Sequence, residues 1–505
     1  MRDSIILHAI RQHAVRTPDR TALRGAHTTW SYQALADAVL RLQQRFTRNG
    51  PAVVALCMDN DPAWAMVDLA VLAAGGVLVP LPGFFSEAQQ LHVIRDAGVG
   101  TVISDQPIDM EQRLLVGGVQ ILKRSRYLVA ERWLTEFEIA PRMQAVLPLS
   151  CCKLTYTSGT TGNAKGVCLD LNAIEQVVHS LLLSTAASAQ DEHLSVLPLS
   201  TLLENLAGLY VPLMAGASVT LLPGSQLGLQ GASRLEIGLL LDTLRQRQPS
   251  TLVLTPELLK AVVQLTEAGH SLSERLRFLA VGGATVAVSL LERAEAVGLP
   301  VYEGYGLSEC ASVVALNTMT ARRPGSVGKP LPHVRIRIAA DGEIMVSGAT
   351  MLGYNGLLRN DGDYWPTGDL GYLDTEGYLH IHGRKKHMFI TSFGRNVSPE
   401  WVESQLVQSP EIAQAALFGE ARPYNVALIV AASAASDTKI DARIQMINAA
   451  LPDYARVTAW RRADAPFSNA NQQLTANFRL RRDQIWQAYQ HKINALYEEV
   501  LHEHV

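Results

Sequence analysis

The sequence predicts an α/β protein: a large N-terminal domain of helix-flanked, mainly parallel sheets with a small antiparallel β unit, then a smaller, mobile α+β lid domain. Three observations predict it. Short apolar runs spaced by helix-length segments fill the first 300 or so residues, the rhythm of parallel strands with helices on both faces. From about Val301 the rhythm changes to hairpins, and the last 120 or so residues carry helices and strands of their own. At 505 residues the chain also exceeds what one hydrophobic core comfortably serves.

The predicted strands of the first part are Ala52–Cys57, Gly76–Val79, Thr101–Ser104, Ser195–Leu199, Ser218–Leu222, Thr251–Leu254 and Arg277–Val281. The uncharged stretch from Leu69 to Phe85 is interrupted by Gly75, Gly76, Pro80, Pro82 and Gly83, so it reads as a buried helix and strand rather than a membrane span. Hairpins are expected where Val334–Ile338 and Glu343–Val346 flank Asp341-Gly342, and where Gly371–Leu373 and Tyr378–His382 flank Glu376-Gly377. These readings give an N-terminal domain over 1–383, with its β unit over about 301–383, a hinge at 384–386 and a lid over 387–505. Within the lid, Ser398-Pro399-Glu400 reads as a helix start, with serine at the cap and proline at the first helical position.

Composition narrows the function classes. Hydrophobic residues make up 48% and charged residues 18%, a globular balance, and a net charge of −3 without a Lys/Arg block argues against nucleic-acid binding. Five cysteines without metal-ligand spacing read as reduced thiols. The N-terminal apolar run is too short for a signal-peptide core, so a cytoplasmic protein without a transmembrane segment is expected, with peripheral membrane contact left open.

The stretch YTSGTTGNAKGV, Tyr156 to Val167, carries the strongest chemical signal. Six of its first seven residues are Thr, Ser or Gly, which lets the backbone turn sharply while hydroxyls and N–H groups converge on anionic oxygens. Lys165 adds a point charge, but its place four residues after Thr161 excludes a Walker A loop. A solvated linker is the competing reading of such a run. The strand-like flanks Lys153-Leu154-Thr155 and Val167-Cys168-Leu169 argue against it.

Five further segments follow in order: LPLSTLLEN from Leu197, Val281-Gly282-Gly283-Ala284, Glu303-Gly304-Tyr305-Gly306-Leu307-Ser308-Glu309, Pro366-Thr367-Gly368-Asp369-Leu370, and Gly383-Arg384. With the phosphate loop, this series resembles the acyl-adenylate-forming superfamily of acyl-CoA synthetases, peptide-synthetase adenylation domains and luciferases, over nearly the whole chain. Glu204 after LPL, and the C-terminal run FSNANQQLTANFRLRR with its following helix, look like the long-chain fatty acyl-CoA synthetase branch.

The resemblance implies that a carboxylate attacks the α-phosphorus of ATP and that a thiol then takes the acyl group, chemistry carried by positioning and electrostatics. It implies that Thr157, Ser158, Gly159, Thr160, Thr161, Gly162 and Lys165 hold the β- and γ-phosphates, and that Thr157 and Glu309 ligate Mg²⁺. Gly282, Gly283, Ala284 and Glu303, Gly304, Tyr305, Gly306, Ser308 would frame the adenine, with Tyr305 stacked on it, while Asp369 and Arg384 take the ribose. Thr201, Glu204 and Asn205 are expected in the acyl pocket, Lys386 at the hinge, and Gly394 beside a pantetheine arm.

Arg479 stands where the family places the lysine that reaches the carboxylate and α-phosphate, and a planar guanidinium is not a compact ammonium. A surface role beside Arg481 and Arg482 is its alternative. Thr201 stands where relatives commonly have His, Ala164 where they have Pro, and His387 where they have an acid. The expected activity is an ATP- and Mg²⁺-dependent acyl-CoA synthetase for a fatty or related apolar acid. The thiol acceptor is coenzyme A or the phosphopantetheine of an acyl carrier protein, which Lys385, Arg395 and the cluster from Arg479 to Arg482 could equally face. A ligase stopping at the adenylate, and a catalytically weakened nucleotide- and acyl-binding regulatory module, are the competing readings.

Overall fold

The protein is seen here as a computed structural model that describes residues 4–47, 52–140, 147–157, 164–230, 234–359, 362–393, 395–432, 435–475 and 479–503. Two nine-stranded sheets form the large unit. In the first, Val301–Leu307, Phe278–Val281, Thr251–Leu254, Glu192–Ser195, Ser218–Leu221 and Thr21–Arg24 lie side by side in parallel, with antiparallel strands at both edges. In the second, Cys151–Thr157, Val77–Pro80, Val53–Cys57 and Thr101–Ser104 make the parallel centre. The hairpin Ile121–Val129/Arg132–Ile139 closes one edge.

Helix Pro62–Ala73 is apolar but for Asp68 and buried along nearly its whole length, as a helix between layers must be. Asp61 caps it by accepting from Ala63 N, and Pro62 takes the first helical position, where no N–H is needed. Helix Glu87–Asp96 starts in a full capping box between Ser86 and Gln89.

Two expectations are corrected. The strand expected at Ser195–Leu199 is Glu192–Ser195, because Asn60 draws the following segment out of the ladder: its side chain donates to Leu197 O at 2.8 Å and accepts from Leu199 N at 2.7 Å. The hairpins expected from about Val301 do begin there, but the first belongs to the first large sheet: Val301–Leu307 pairs in parallel with Phe278–Val281 and, from Gly304, antiparallel with Ser312–Leu316, which pairs in turn with Lys329–Pro330. The unit proper is the four-stranded sheet Val334–Ile338, Glu343–Gly348, Trp365–Leu373 and Leu379–Arg384.

The C-terminal unit is a three-stranded sheet of Ile412–Phe418, Asn425–Ala431 and Val457–Arg462. Its first two strands read as nearly unbroken apolar runs because both faces are covered. Alternation sends Ala415, Leu417, Ala427 and Ile429 toward Pro399–Leu406 and Asp437–Ala450, and Ala416, Phe418, Val426 and Leu428 toward Arg482–Glu503. Ser398 caps Pro399–Leu406 by position only: its hydroxyl makes no cap bond and lies under Gly383. A Cβ at Gly383 would sit 2.3 Å from that oxygen, so the chain entering the hinge admits only glycine there. Among the described residues no helix is long and apolar enough to cross a membrane.

Candidate active site

Between the large unit and the C-terminal unit runs a cleft enclosing about 2850 Å³. The side of it that the sequence assigns to the phosphates is built by the hairpin of Cys151–Thr157 and Lys165–Asp170, whose register sets Thr157 opposite Lys165. Between them in sequence, Ser158, Gly159, Thr160, Thr161 and Gly162 lie outside the described residues, as does Gly394. The hairpin is anchored from beneath. Lys153 is buried and donates to Asp68 Oδ1 at 3.0 Å, to Tyr210 Oη at 3.0 Å and to Asn205 Oδ1, so its charge is both paired and hydrogen-bonded.

Lys165 is exposed at the mouth of the hairpin with its Nζ 5.3 Å from the centre of the Tyr354 ring. The Tyr354 hydroxyl donates to Glu309 Oε1 at 2.9 Å, which brings Glu309 to the same part of the cleft as Lys165. Tyr354 was missed by sequence reasoning. It stands in the two-residue strand Gly353–Tyr354, which joins the sheet beside Val167 and Cys168 and carries no motif of its own. Among the described residues no group of three or more His, Cys, Asp or Glu gathers to hold an ion. One carboxylate and one hydroxyl nevertheless fit Mg²⁺, a hard cation that keeps waters and shares phosphate oxygens, so the donor set of Glu309 and Thr157 suits it.

The side that the sequence assigns to the nucleotide lies at the carboxyl ends of Thr251–Leu254, Phe278–Val281 and Val301–Leu307, the crevice where open α/β sheets bind ligands. Gly282, Gly283, Ala284, Glu303, Gly304, Tyr305, Gly306 and Ser308 all border it. Gly306 is imposed by packing: a Cβ there would fall 1.6 Å from the carbonyl oxygen of Ser312 on the neighbouring strand. The Tyr305 hydroxyl donates to Asp369 Oδ2 at 2.5 Å, and Arg384 Nε lies 2.8 Å from Asp369 Oδ1. Burial raises the Asp369 carboxyl above its ordinary range, although Arg384, Tyr305 and Arg479 pull the other way. Burial alone pushes Glu303 up to about 8, since no cation faces it.

From the C-terminal unit, Arg479 reaches across and donates from Nη2 to Gly283 O at 2.9 Å. Its surroundings are crowded with protein, yet the side chain keeps a face open to the cleft, so water offsets much of the burial that works against its charge. Arg384 opposes that charge, while Asp369, Glu309 and Glu400 favour it. Arg479 therefore faces the cleft at Gly283 rather than the outer surface. Its neighbour Arg482 also borders the cleft but is held, largely covered, by Glu403, with nitrogens 2.6 and 2.5 Å from the two carboxylate oxygens. Lys385 likewise turns to Asp341 and Glu343, at 2.6 and 2.8 Å, which ties the hinge to the antiparallel sheet. Lys386 borders the cleft with its pKa lowered by burial, Arg384 and Lys165. His387 Nδ1 lies 2.5 Å from Glu400 Oε1, and this contact with Arg482 outweighs burial to hold the Glu400 carboxyl low.

An apolar arm leaves the cleft at Gly282. Alternation puts Phe278, Ala280 and Gly282 on one sheet face, with Thr251 and Val253 laterally paired beside Phe278 and Ala280. Leu181, Leu203, Ala207 and Val211 also border the cleft, as do the polar Thr185, Asp191, His193 and Arg277. From Gly282 to Phe278 the wall runs about 13 Å, at roughly 3.3 Å per residue. Thr201 borders the cleft as expected of a pocket residue, but Glu204 and Asn205 do not. The segment Glu204–Tyr210 is wound as a π-helix, which turns both side chains into the core. Glu204 Oε1 accepts from Ser195 Oγ at 2.6 Å and lies 3.1 Å from His193 Nε2, and Asn205 Nδ2 donates to Asp68 Oδ2 at 2.8 Å. Buried polar groups go where partners are, and theirs lie in the core.

Residues 10–354 match the family profile described as AMP-binding enzyme, and residues 386–501 that of the AMP-binding enzyme C-terminal domain. Similar proteins include the long-chain-fatty-acid–CoA ligase FadD15 of Mycobacterium tuberculosis, 26% identical with 86% of each chain covered. Another is the indoleacetate–CoA ligase of Aromatoleum aromaticum, 28% identical, covering 81% of this chain and 84% of that one. The 2-succinylbenzoate–CoA ligase of Bacillus subtilis is 27% identical with the same coverage. Among solved structures, the anthranilate CoA ligase AuaEII in complex with anthranoyl-AMP superposes with a TM-score of 0.79 at 18% identity, covering 96% of each chain. The B. subtilis O-succinylbenzoate coenzyme A synthetase with ATP and magnesium ion gives 0.72 at 24% identity, covering 94% of this chain and 98% of that one. At these identities the structural likeness speaks for the fold.

Proposed function

Since the chain belongs to the AMP-binding enzyme family, we propose that it is an AMP-forming acid–CoA ligase and that its acid is apolar and of the fatty type. One observation carries this reading: Lys165 and Glu309, Asp369 and Arg384, and Arg479 from the other unit all meet at one cleft, and an apolar arm opens beside them at Gly282.

The residues divide the work. The hairpin of Thr157 and Lys165 holds the terminal phosphates, Asp369 and Arg384 orient the ribose, and the strand ends at Gly282 to Ala284 and Glu303 to Gly306 receive the base. The arm fixes the acid so that its carboxylate emerges at Gly282, beside the Gly283 carbonyl on which Arg479 rests. Arg479 then stands where charge develops as the carboxylate approaches the α-phosphorus, and a preorganised donor at that place lowers the barrier. Mg²⁺, when bound through Glu309 and Thr157, supplies charge neutralisation to the departing pyrophosphate. The thiol acceptor is coenzyme A, as in the names of the similar ligases.

Indoleacetate and 2-succinylbenzoate in those names show that the family accepts other acids, so the acid is the quantity to measure. A pyrophosphate-release screen over aliphatic and aromatic acids with ATP, Mg²⁺ and coenzyme A is expected to give its highest rate with an aliphatic acid. A preference for aromatic acids would refute the fatty reading, and release of neither pyrophosphate nor acyl-AMP with any acid would refute the ligase. Acyl-AMP that persists with coenzyme A and is discharged by a carrier protein would move the acceptor to the carrier.

A further inference from the structure

One contact between the two units lies apart from the residues assigned to the reaction. Helix Pro256–Glu267 follows strand Thr251–Leu254 and starts at the cleft, where Thr255 caps it by accepting from Leu258 N. From its second turn Lys260 leaves the large unit, and its Nζ donates to the carbonyl oxygen of Val407. Val407 is the residue that ends helix Pro399–Leu406 of the C-terminal unit. The last carbonyls of a helix have no partner within it, and here the preceding ones are satisfied from their own unit. Glu403 O accepts from Val407 N at 3.0 Å, Ser404 O from Gln408 Nε2 at 3.2 Å, and Leu406 O from Ser409 N at 3.1 Å. Val407 O takes its donor from the large unit. A surface lysine ordinarily leaves its ammonium in water. Burial instead holds the Lys260 ammonium below its ordinary range, which Arg293 reinforces and Glu257 opposes. The negative end of a helix, with a carbonyl as acceptor, suits such a cation.

We propose that Lys260 is a positioning residue for acid activation: it clamps the C-terminal end of Pro399–Leu406 and so carries Arg479 to the Gly283 carbonyl. This rests on the role of Arg479 in the ligase reaction. The contacts close a ring. From Val407 the helix leads back to Glu403, whose two carboxylate oxygens hold Arg482 at 2.6 and 2.5 Å. Arg482 opens helix Arg482–Glu503, and Arg479 stands three residues before it. Thr475 fixes the Arg479 backbone, taking its N–H on Oγ1 at 3.1 Å and giving N–H to its carbonyl at 2.7 Å. Arg479 Nη2 then donates to Gly283 O at 2.9 Å. Gly283 follows strand Phe278–Val281, which pairs in parallel with Thr251–Leu254, the strand that leads into the Lys260 helix. Both contacts therefore rest on adjacent strands of one sheet, and a displacement at Val407 passes to Arg479 through the Glu403–Arg482 pair. The two ends of Pro399–Leu406 are held differently. Ser398 lies under Gly383 beside the hinge, and Val407 lies about 13 Å further on, at 1.5 Å per residue. A hinge fixes one point and leaves rotation about it. Lys260 supplies the second point, and a misplacement of about 1 Å at a reacting centre costs on the order of 100-fold in rate.

The test compares Lys260→Met, Lys260→Arg, Arg479→Ala and the Lys260→Met/Arg479→Ala double variant as full chains. ATP–pyrophosphate exchange is measured with the acid that gives the highest rate in the pyrophosphate-release screen, and amide deuterium uptake is measured without substrates. Lys260→Met keeps the stem and removes the charge, so it should lower pyrophosphate exchange about tenfold, the effect of one charge-assisted hydrogen bond. Lys260→Arg still donates to the carbonyl and should retain most of the rate. Because Lys260 acts through Arg479, Lys260→Met should cost nothing further in the Arg479→Ala background, a non-additivity that a merely structural role does not produce. Deuterium uptake in the last turn of Pro399–Leu406 should be about tenfold faster in Lys260→Met, with the sheets of both units unchanged. A tenfold loss in both backgrounds, or unchanged uptake at that turn, would overturn the proposal. The uptake measurement needs no acid, so it decides the placement of the C-terminal unit even if no acid is activated, the outcome that would overturn the ligase itself.

Discussion

Glu303 offers the sharpest quantitative test, because its carboxyl is buried beside the nucleotide frame with no cation to hold its charge. A pKa pushed up to about 8 by burial means that the folded protein holds a proton there over a range in which the unfolded chain, at about 4.5, does not. The sign follows from linkage: stability from this group is present below the unfolded value and is lost as pH rises through the folded one. Between about pH 6 and about pH 9 the loss is on the order of 2–3 kcal/mol, at about 1.4 kcal/mol per tenfold change in proton affinity. Glu303→Gln removes the titration but keeps the shape. The assay is urea unfolding of both proteins at several pH values across that window. The variant is expected to start less stable, because an amide is buried without a partner, and to gain on the wild type as pH rises. Parallel profiles would refute the reasoning, since they would mean that Glu303 ionises in the folded state as it does in the unfolded chain.

Arg479→Ala should lower ATP–pyrophosphate exchange about 100-fold with little change in thermal midpoint, and Arg479→Lys should retain most of the rate. Unchanged exchange in both would show that the side chain does not serve the reaction. Gly306→Ala should cost about 3 kcal/mol by forcing apart the strands Val301–Leu307 and Ser312–Leu316, read in thermal unfolding, and should weaken nucleotide binding in a titration. Glu403→Gln should destabilise the C-terminal unit by roughly 3–5 kcal/mol, because Arg482 is left charged and buried, and limited proteolysis should then cleave that unit first.

Most of the expected residues that border the cleft were legible because they answer local demands. A hairpin mouth that must approach phosphates needs glycine and hydroxyls, and Gly306 and Gly383 stand where a side chain would collide with backbone or a neighbouring oxygen. Such requirements leave their mark at fixed positions along the chain. Tyr354 left none, because its role comes from an edge strand that docks beside Val167 from almost two hundred residues away. Glu204 and Asn205 were misplaced for a related reason. Their spacing after LPL is the same whether they face the cleft or the core, and the π-helical winding with His193, Ser195, Lys153 and Asp68 as partners decides it.

The sequence by itself determined the α/β class, the order of the strands' appearance along the chain, the phosphate hairpin and the family resemblance, because periodicity, glycines and hydroxyl-rich turns are properties of neighbouring residues. Tertiary structure alone decided that Val301–Leu307 joins the first sheet between Phe278–Val281 and Ser312–Leu316, that Arg482 is locked to Glu403 while Arg479 enters the cleft, and that the apolar arm begins at Gly282. Those outcomes depend on which charges and surfaces meet across long separations in the chain, and burial selects among partners that local sequence leaves equivalent.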